Sequence, residues 1–406
     1  MAELVRLDAI QEPDTRPGET RPAWRVLMAA AAVHACNDAF FYVLYPLLPF
    51  IATDLGLSYA EIGLVNAAFA GSSAVLQLPA GLLGQHWSEY VLLAWGNGWV
   101  ATGLAAMAAA TSLPMLLGVA VLAGVGGNVQ HPLAASLVAR AYDGRRRGLA
   151  IGTLNFAGDL GKLAAPGLVV VVAPTLGWRA TLVGLGLFGL VFSGVFGLAG
   201  KWVRPLGANA ARATSTSGWR RFGLPRSFAL LATVGMLDAT TRTAALTFLP
   251  FVLATRGLGS TDVGVLFAVV FAGGALGKLA CGPLGDHLGG FAVVLATETM
   301  TALALCGLAW GPLETSLGVA AILGFGLNGT TSVLYAAVAA FVPHGNRGVG
   351  YGVYYTATQC AAAVAALGYG LLADHVGLGL TFAAMAAFTL SVVPLAVPIR
   401  RHLAFA

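Results

Sequence analysis

The sequence predicts an all-α membrane protein with 12 transmembrane helices in two pseudo-symmetric six-helix bundles. Three observations predict it: the composition, the recurrence of long apolar segments and an internal repeat. Of the 406 residues, 58% are hydrophobic and 10% are charged, and the mean hydropathy is +0.81. A soluble domain carries about 25% charged residues. Because so few charges cannot cover a water-exposed surface, the composition excludes a water-soluble globular protein.

Long apolar segments recur along the chain. A helix that crosses the hydrocarbon core needs about 20 predominantly apolar residues. We place such segments at 27–52, 61–84, 90–110, 113–139, 148–173, 179–200, 227–254, 262–284, 291–310, 315–341, 347–372 and 379–399. The predicted domains are therefore a cytoplasmic tail (1–26), an N-terminal six-helix bundle (27–200), a cytoplasmic linker (201–226), a C-terminal six-helix bundle (227–399) and a second cytoplasmic tail (400–406).

The distribution of cations predicts the orientation. Arginines follow the fourth segment at 140 and 145–147, and lysine and arginine fill the connection at 201–226. By the positive-inside rule these connections lie in the cytoplasm. Both termini are then cytoplasmic, and we expect the plasma membrane, in bacteria the inner membrane. The net charge of +5 is explained by this sidedness, and we expect no binding to nucleic acid.

The second half of the chain repeats the first. Leu48-Pro49-Phe50 recurs 201 residues later as Leu249-Pro250-Phe251, and Arg147-Gly148 recurs 200 residues later as Arg347-Gly348. Two six-helix halves of the same orientation follow from this spacing. Parallel halves of this kind form one large transporter class, in which substrate binds near the membrane midplane between them. The repeat therefore predicts a secondary transporter for a small molecule.

Motifs near these repeats carry a resemblance to the major facilitator superfamily over essentially the full chain. Residues 282–289 read Gly-Pro-Leu-Gly-Asp-His-Leu-Gly, similar to the superfamily's loop motif G-x-x-x-D-x-x-G. The equivalent first-half segment, 81–88, has Gln85 at the position of the acid. Gly161 with Ala165-Pro166 partially matches the superfamily's antiporter motif. The resemblance implies the major facilitator fold, alternating access and an antiporter.

A narrower resemblance is to the fosmidomycin-resistance-like branch of exporters. It rests on residues 34–38 (His-Ala-Cys-Asn-Asp), on residues 57–63 (Leu-Ser-Tyr-Ala-Glu-Ile-Gly) and on His131-Pro132. That branch has an acid soon after His-Pro, where this chain has Leu133. The resemblance implies efflux, but the substrate of the branch is not carried over.

Polar residues inside the apolar segments predict the site, because a charge at the bilayer centre costs about 2.5–3.5 kcal/mol. Helical spacing groups some of them on single faces of the first, fifth and seventh segments, and the others lie on the fourth, tenth and eleventh segments. The candidate proton-coupling acids are Asp38, Asp159 and Asp238. The candidate substrate-binding residues are His34, Asn37, Asn128, His131, Asn155, Lys162, Arg242, Asn328, Tyr355 and Gln359. Permanent pairing is the structural alternative for the acids: Asp38 with a cation, Asp159 with Lys162, and Asp238 with Arg242. For His131 the alternative is a neutral ring held by a hydrogen bond.

Charged residues at the cytoplasmic helix ends are candidate gating residues. They are Arg140, Arg147, Asp286 and Arg347. Ion pairs and helix ends could hold an inward gate shut there, whereas solvated positive-inside charges are the alternative. Two further charges lie in apolar segments: Lys278, where the repeat places Gln77, and Glu298 in the ninth segment. The resemblance to the superfamily implies that the ninth segment lies outside the cavity, so we interpret Glu298 as a packing or interface feature.

These features predict proton-coupled export of a small polar or anionic organic solute. Protons entering from outside neutralise Asp38, while Lys162 and Arg242 bind the solute's negative group. Uptake by proton symport, and a membrane sensor or enzyme on the same fold, are the alternatives. Because no metal-ligand cluster, nucleophile–base pair or phosphate loop is evident in the sequence, we expect no enzymatic activity, cofactor or metal. The expected partners are a small-molecule substrate, protons and the lipid bilayer, and the chain is expected to be a monomer.

Overall fold

The computed structural model describes residues 23–83, 87–127, 129–142, 144–203, 225–342, 347–401 and 403, and the regular structure in these ranges is helical. The N-terminal half contains α1 (Ala23–Tyr42), α2 (Leu44–Leu55), α3 (Tyr59–Leu83), α4 (Glu89–Met107), α5 (Leu113–Val125), α6 (Gln130–Ala141) and α7 (Gly144–Val203). The C-terminal half contains α8 (Arg226–Thr255), α9 (Ser260–Leu288), α10 (Gly290–Trp310), α11 (Ser316–Phe341), α12 (Arg347–Leu390) and α13 (Val392–Ala396), with 3-10 turns at Leu313–Thr315 and Val397–Ile399.

Glycine breaks divide the two longest helices. Helix α7 has 60 residues, which would extend about 90 Å if straight, about three times the thickness of the hydrocarbon core. It bends at Gly177 (φ +79°), and α12 bends at Gly377 (φ +82°). Glycine adopts positive φ at no steric cost. Both breaks lie in the gaps between predicted segments, 200 residues apart, as the repeat requires.

The described helices have the length and composition of membrane spans. Six helical stretches are long and apolar enough to cross a bilayer. Two of these, Leu149–Ala199 and Gly350–Ile399, contain the bends at Gly177 and Gly377, so each combines two predicted segments. The predicted all-α membrane architecture is confirmed. The exact bundle boundaries and the orientation of the termini stay predictions.

The two halves pack tightly at the end that the orientation predicts to be extracellular. A Cβ added at Gly63 of α3 would lie 2.1 Å from the backbone oxygen of Ala366 in α12. About two turns further along α12, the two carboxylate oxygens of Asp374 each accept a backbone hydrogen bond of 2.9 Å, from Tyr59 and from Ala60. Asp374 therefore caps the first turn of α3 from the opposite half. We call this contact, formed by Gly63, Ala366 and Asp374 with residues 59–60, the outer closure.

Apolar packing continues the outer closure toward the midplane. One buried cluster contains Tyr45, Leu48 and Ile62 of the N-terminal half together with Phe248 and Phe267 of the C-terminal half. A buried hydrogen bond of 2.9 Å joins the Asn66 amide nitrogen to Thr247 Oγ1 across the same interface. Side chains of the two halves are thus in direct contact between the outer closure and the charged residues of the site.

Within the N-terminal half, α7 approaches α1 closely at Gly161. A Cβ at this position would lie 2.0 Å from the backbone oxygen of Ala35. We expect Gly161→Ala to lower the free energy of unfolding by at least about 1–3 kcal/mol, because backbone atoms must move to relieve the overlap. Gly167→Ala on the same helix is the matched control, since no heavy atom lies within 4 Å of its added Cβ. Unfolding midpoints in detergent measure the difference, and equal midpoints for the two variants would contradict the contact.

Candidate functional site

Charged side chains from both halves form a chain of ion pairs. The Lys162 ammonium lies 3.3 Å from Asp38 Oδ2 and 3.1 Å from Asp159 Oδ1. The Lys278 ammonium, on α9 of the C-terminal half, lies 2.6 Å from the same Oδ1 of Asp159. In space, negative and positive charges alternate in the order Asp38, Lys162, Asp159 and Lys278. The net charge of these four side chains is therefore zero. We call the four together the charge chain.

Close helix packing positions the N-terminal part of the charge chain. Asp159 and Lys162 are three residues apart on α7 and so share a face. Gly158, next to them, lets α7 approach α1: an added Cβ would lie 2.4 Å from the His34 ring and 2.7 Å from Asp38 Oδ2. The absent side chain therefore makes room for the contact between Lys162 and Asp38.

Two imidazoles complete the surroundings of Asp38, which is 3% exposed. His34 Nε2 lies 3.8 Å from Asp38 Oδ2, and His131 Nε2 lies 4.0 Å from Asp38 Oδ1. The two rings are edge to face, with centroids 4.8 Å apart. The His131 ring is also 6.0 Å from the ring of Tyr355 on α12. The buried acid is thus enclosed by one ammonium and two imidazoles, next to a tyrosine of the opposite half.

A second polar group lies on α8 and α11. The Thr331 hydroxyl is 2.9 Å from Asp238 Oδ2, and the Arg242 guanidinium donates a hydrogen bond of 3.2 Å to the same hydroxyl. Among the described residues Asp238 and Arg242 form no direct ion pair, although they are one helical turn apart. Thr331 therefore lies between the carboxylate and the guanidinium and contacts both.

We expect Thr331→Val to lower the free energy of unfolding by about 1–3 kcal/mol, because both charged neighbours lose a hydrogen-bond partner. Thr240→Val is the matched control, since the Thr240 hydroxyl bonds to the backbone oxygen of Leu237 one turn earlier. The unfolding midpoints of the two variants in detergent provide the test. A loss no larger than that of Thr240→Val would contradict the bridging role.

A narrow cavity separates the two polar groups. Its volume in this conformation is about 10 Å³, which is room for about one water molecule. Tyr42, Asp159 and Lys162 line it from the N-terminal half, and Arg242 and Asn328 line it from the C-terminal half. The Lys162 ammonium also lies 5.1 Å from the centroid of the Tyr42 ring, in the range of a cation–π contact. The lining of the cavity therefore combines two cations on opposite walls with the carboxylate of Asp159.

The other predicted substrate-binding residues differ in their distance from this cavity. His34 and Asn37 are buried and do not line it, and the Asn37 amide has no hydrogen-bond partner among the described residues. Tyr355 and Gln359 are half-buried on α12, whereas Asn155 is exposed. Asn128 lies outside the described residues. The structure thus brings Lys162, Arg242 and Asn328 to the cavity, and the other described candidates do not line it.

The candidate gating residues contact their own half or cannot be placed. Arg140 pairs with Glu89 at the start of α4 and donates a hydrogen bond of 2.7 Å to Ser136 Oγ. Asp286 is exposed near the end of α9. The side chains of Arg147 and Arg347 lie outside the described residues. A gating role for these four residues stays a prediction.

Several residues of the site were not among the predicted ones. Lys278 joins the charge chain, and its signal in the sequence was a cation in an apolar helix where the repeat has glutamine. Tyr42 lines the cavity, and its position four residues after Asp38 was a usable helical signal. Thr331 was recognisable as polar, but its place between Asp238 and Arg242 depends on how α11 packs on α8. No local pattern indicated Asp374.

Comparison with known proteins agrees with this architecture. The family model of the Major Facilitator Superfamily matches residues 30–237 and again residues 231–404. The chain belongs to the major facilitator superfamily. The fosmidomycin resistance protein of Escherichia coli (strain K12) is 24% identical over 90% of this chain and 90% of its own length. The cyanate transport protein of the same strain is 25% identical over 70% of this chain and 73% of its own length.

Solved structures show the same fold. One is the crystal structure of a bacterial homologue of the human lysosomal transporter Spinster, in an inward-facing and unoccupied conformation. It superimposes on this chain with a TM-score of 0.80 at 16% sequence identity. The superposition covers 95% of this chain and 98% of that chain. The superfamily and the fold predicted from the sequence are therefore confirmed. As a major facilitator, the chain is an integral membrane transporter of small molecules and not an enzyme.

Proposed function

We propose that this major facilitator is a proton-coupled secondary transporter of a small organic anion. The observation that carries the proposal is the cavity between the halves, with Lys162 on one wall and Arg242 on the other. A guanidinium binds carboxylate, sulfonate or phosphonate groups through two parallel hydrogen bonds, and an ammonium adds a point charge. One relative is named a cyanate transport protein, and cyanate is an anion.

Asp38 is the acid that we propose for proton coupling. Its carboxylate lies 3.3 Å from the Lys162 ammonium, and that ammonium lines the cavity. A proton on Asp38 removes one of the two acidic partners of Lys162 and thereby strengthens the attraction of this cation for an anion. Asp159, which contacts the same ammonium, and Asp238, which reaches Arg242 through Thr331, are the further candidates.

Two directions of transport agree with this site. Export in exchange for protons is the direction that the sequence predicts, and a relative named for fosmidomycin resistance supports it. Uptake by proton symport is the second candidate, and the balance of charges favours it. With neutral imidazoles, the site holds three acids and three cations: Asp38, Asp159, Asp238, Lys162, Lys278 and Arg242. An anion that enters this neutral site leaves a net negative charge inside the membrane unless a proton enters with it.

Transport by purified protein in lipid vesicles tests the proposal. Labelled carboxylates, sulfonates and phosphonates are supplied under an imposed pH gradient, and an internal dye reports proton movement. We expect Lys162→Gln and Arg242→Gln each to slow anion transport. Protons and anion moving in the same direction establish symport, and opposite movement establishes exchange. Transport of a neutral or cationic solute that is unchanged in Lys162→Gln would overturn the proposed substrate class.

A further inference from the structure

We propose that Asp159 takes the place of the transported anion in the empty protein, and that a proton on Asp159 releases Lys278 to bind the anion. This inference rests on the proposed transport of an anion and adds a binding residue and a coupling rule. Its consequence is that one proton and one monovalent anion bind together.

The first argument is the sharing of a single oxygen atom. Asp159 Oδ1 lies 3.1 Å from the Lys162 ammonium and 2.6 Å from the Lys278 ammonium. Lys162 has a second acidic partner, Asp38, at 3.3 Å. Among the described residues Asp159 is the acid that Lys278 contacts. Lys278 therefore depends on Asp159 for its counter-charge, whereas Lys162 does not.

The second argument is the position of Asp159 and Lys278 relative to the cavity. Asp159 lines the cavity, so its carboxylate occupies space next to any bound anion and repels it. Lys278 lies one helical turn after Gly274 and Ala275, which line the same cavity from α9. Its side chain is 29% exposed, against 10% for Asp159. An anion in the cavity can thus reach Lys278 if the negative charge of Asp159 is removed.

The third argument is the charge that remains when Asp159 is neutral. Among the described residues, the charged and titratable groups around Asp159 come from five helices: Lys162 (α7), Lys278 (α9), Asp38, His34 and Tyr42 (α1), His131 (α6) and Arg242 (α8). With a proton on Asp159 the charge chain keeps one acid and two ammoniums, so it carries one unbalanced positive charge. A monovalent anion restores neutrality, and at membrane depth an unbalanced charge is costly.

The coupling rule follows from thermodynamic linkage. If a proton on Asp159 raises the affinity for the anion, the anion raises the affinity for the proton by the same factor. Joint binding favours the movement of both across the membrane in one direction, which is symport. Exchange of protons against an anion would need linkage of the opposite sign.

Methanesulfonate is the probe for this inference, since it stays negatively charged from pH 5 to pH 8. The melting temperature of the purified full chain is measured with and without it at both pH values. For the wild type we expect a larger stabilisation at pH 5 than at pH 8, on the order of 2 °C at saturation, because the bound anion raises the affinity of Asp159 for a proton. For Asp159→Ala we expect stabilisation at both pH values, because the site of the lost carboxylate is open. For the double variant Asp159→Ala/Lys278→Gln, the matched control, we expect none.

Two results would overturn the inference. One is that methanesulfonate raises the melting temperature of Asp159→Ala no more than that of the double variant. The other is that it raises the melting temperature of the wild type equally at pH 5 and pH 8. If Asp159→Ala does not fold, Asp159→Asn removes the same charge with less change of shape. These measurements need no transported substrate. Their failure beside intact anion transport overturns this inference alone, and their success without anion transport overturns the proposed function alone.

Discussion

Asp38→Asn is expected to reduce proton-driven transport to the background of empty vesicles. Asparagine has nearly the shape of aspartate but carries no titratable proton, so the packing is preserved while the charge chain keeps one permanent positive charge. An anion then balances that charge without a proton on Asp38 or on Asp159, and transport is no longer coupled to protons. Asp38 is 3% exposed, and its carboxylate contacts Lys162 at 3.3 Å. The substitution leaves Lys162 with Asp159 as its acidic partner. The charge next to a bound anion then no longer depends on protonation of residue 38.

The measurement uses two modes of transport in the same vesicles. Accumulation of labelled anion under a pH gradient requires a proton to be carried, and we expect Asp38→Asn to abolish it. Exchange of labelled for unlabelled anion without a gradient requires only binding and movement of the halves, and we expect it to persist. Loss of both modes would indicate a structural role for Asp38, and full accumulation would rule out its role in coupling.

Glu298→Gln is the matched control for this prediction. Glu298 is 1% exposed, so it is as deeply buried as Asp38, but it accepts a hydrogen bond from Thr389 on α12 and does not line the cavity. We expect Glu298→Gln to keep the dependence of transport on the pH gradient. A loss of coupling equal to that of Asp38→Asn would show that burial of an acid, and not its contact with Lys162, determines the effect.

The fold could be predicted from the sequence because its main determinants are local or periodic. Apolar length predicts each span, and the repeat offset connects the break at Gly177 with the break at Gly377. Part of the site could be predicted for the same reason, since Asp159 and Lys162 share a face of one helix. Contacts between helices could not be predicted in this way. Lys278 contacts Asp159 from 119 residues away in the sequence, which depends on the packing of the two halves.

Asp374 shows this limit most clearly. As an acid at the end of an apolar segment, it has the sequence character of an ordinary solvated residue. Its contacts with Tyr59 and Ala60 span 315 and 314 residues and depend on the conformation in which the outer closure is formed. The sequence is the same in every state of a transport cycle, whereas a contact between the halves forms in some states and not in others. A sequence pattern therefore does not indicate such a contact.

Gly63→Leu is expected to open the outer closure. A Cβ at Gly63 would lie 2.1 Å from Ala366 O and 2.6 Å from its carbonyl carbon, and these backbone atoms cannot turn away as a flexible side chain could. Such overpacking costs about 1–3 kcal/mol or more. Because about 1.4 kcal/mol changes a conformational equilibrium tenfold, the variant should favour states in which α3 and α12 are separated. Asp374→Ala acts in the same direction by removing the cap from α3.

Spin labels on the predicted outer loops measure this opening. Ser112 and Glu314 are exposed on the N-terminal and C-terminal halves, and each is replaced by cysteine in a chain whose four native cysteines are substituted. We expect a longer distance between the labels in Gly63→Leu than in the parent protein. Gly318→Leu is the matched control, since no heavy atom lies within 4 Å of its added Cβ. An unchanged distance in Gly63→Leu would mean that the overlap is relieved by local shifts within α3 and α12. The contact at Gly63 would then not hold the halves together.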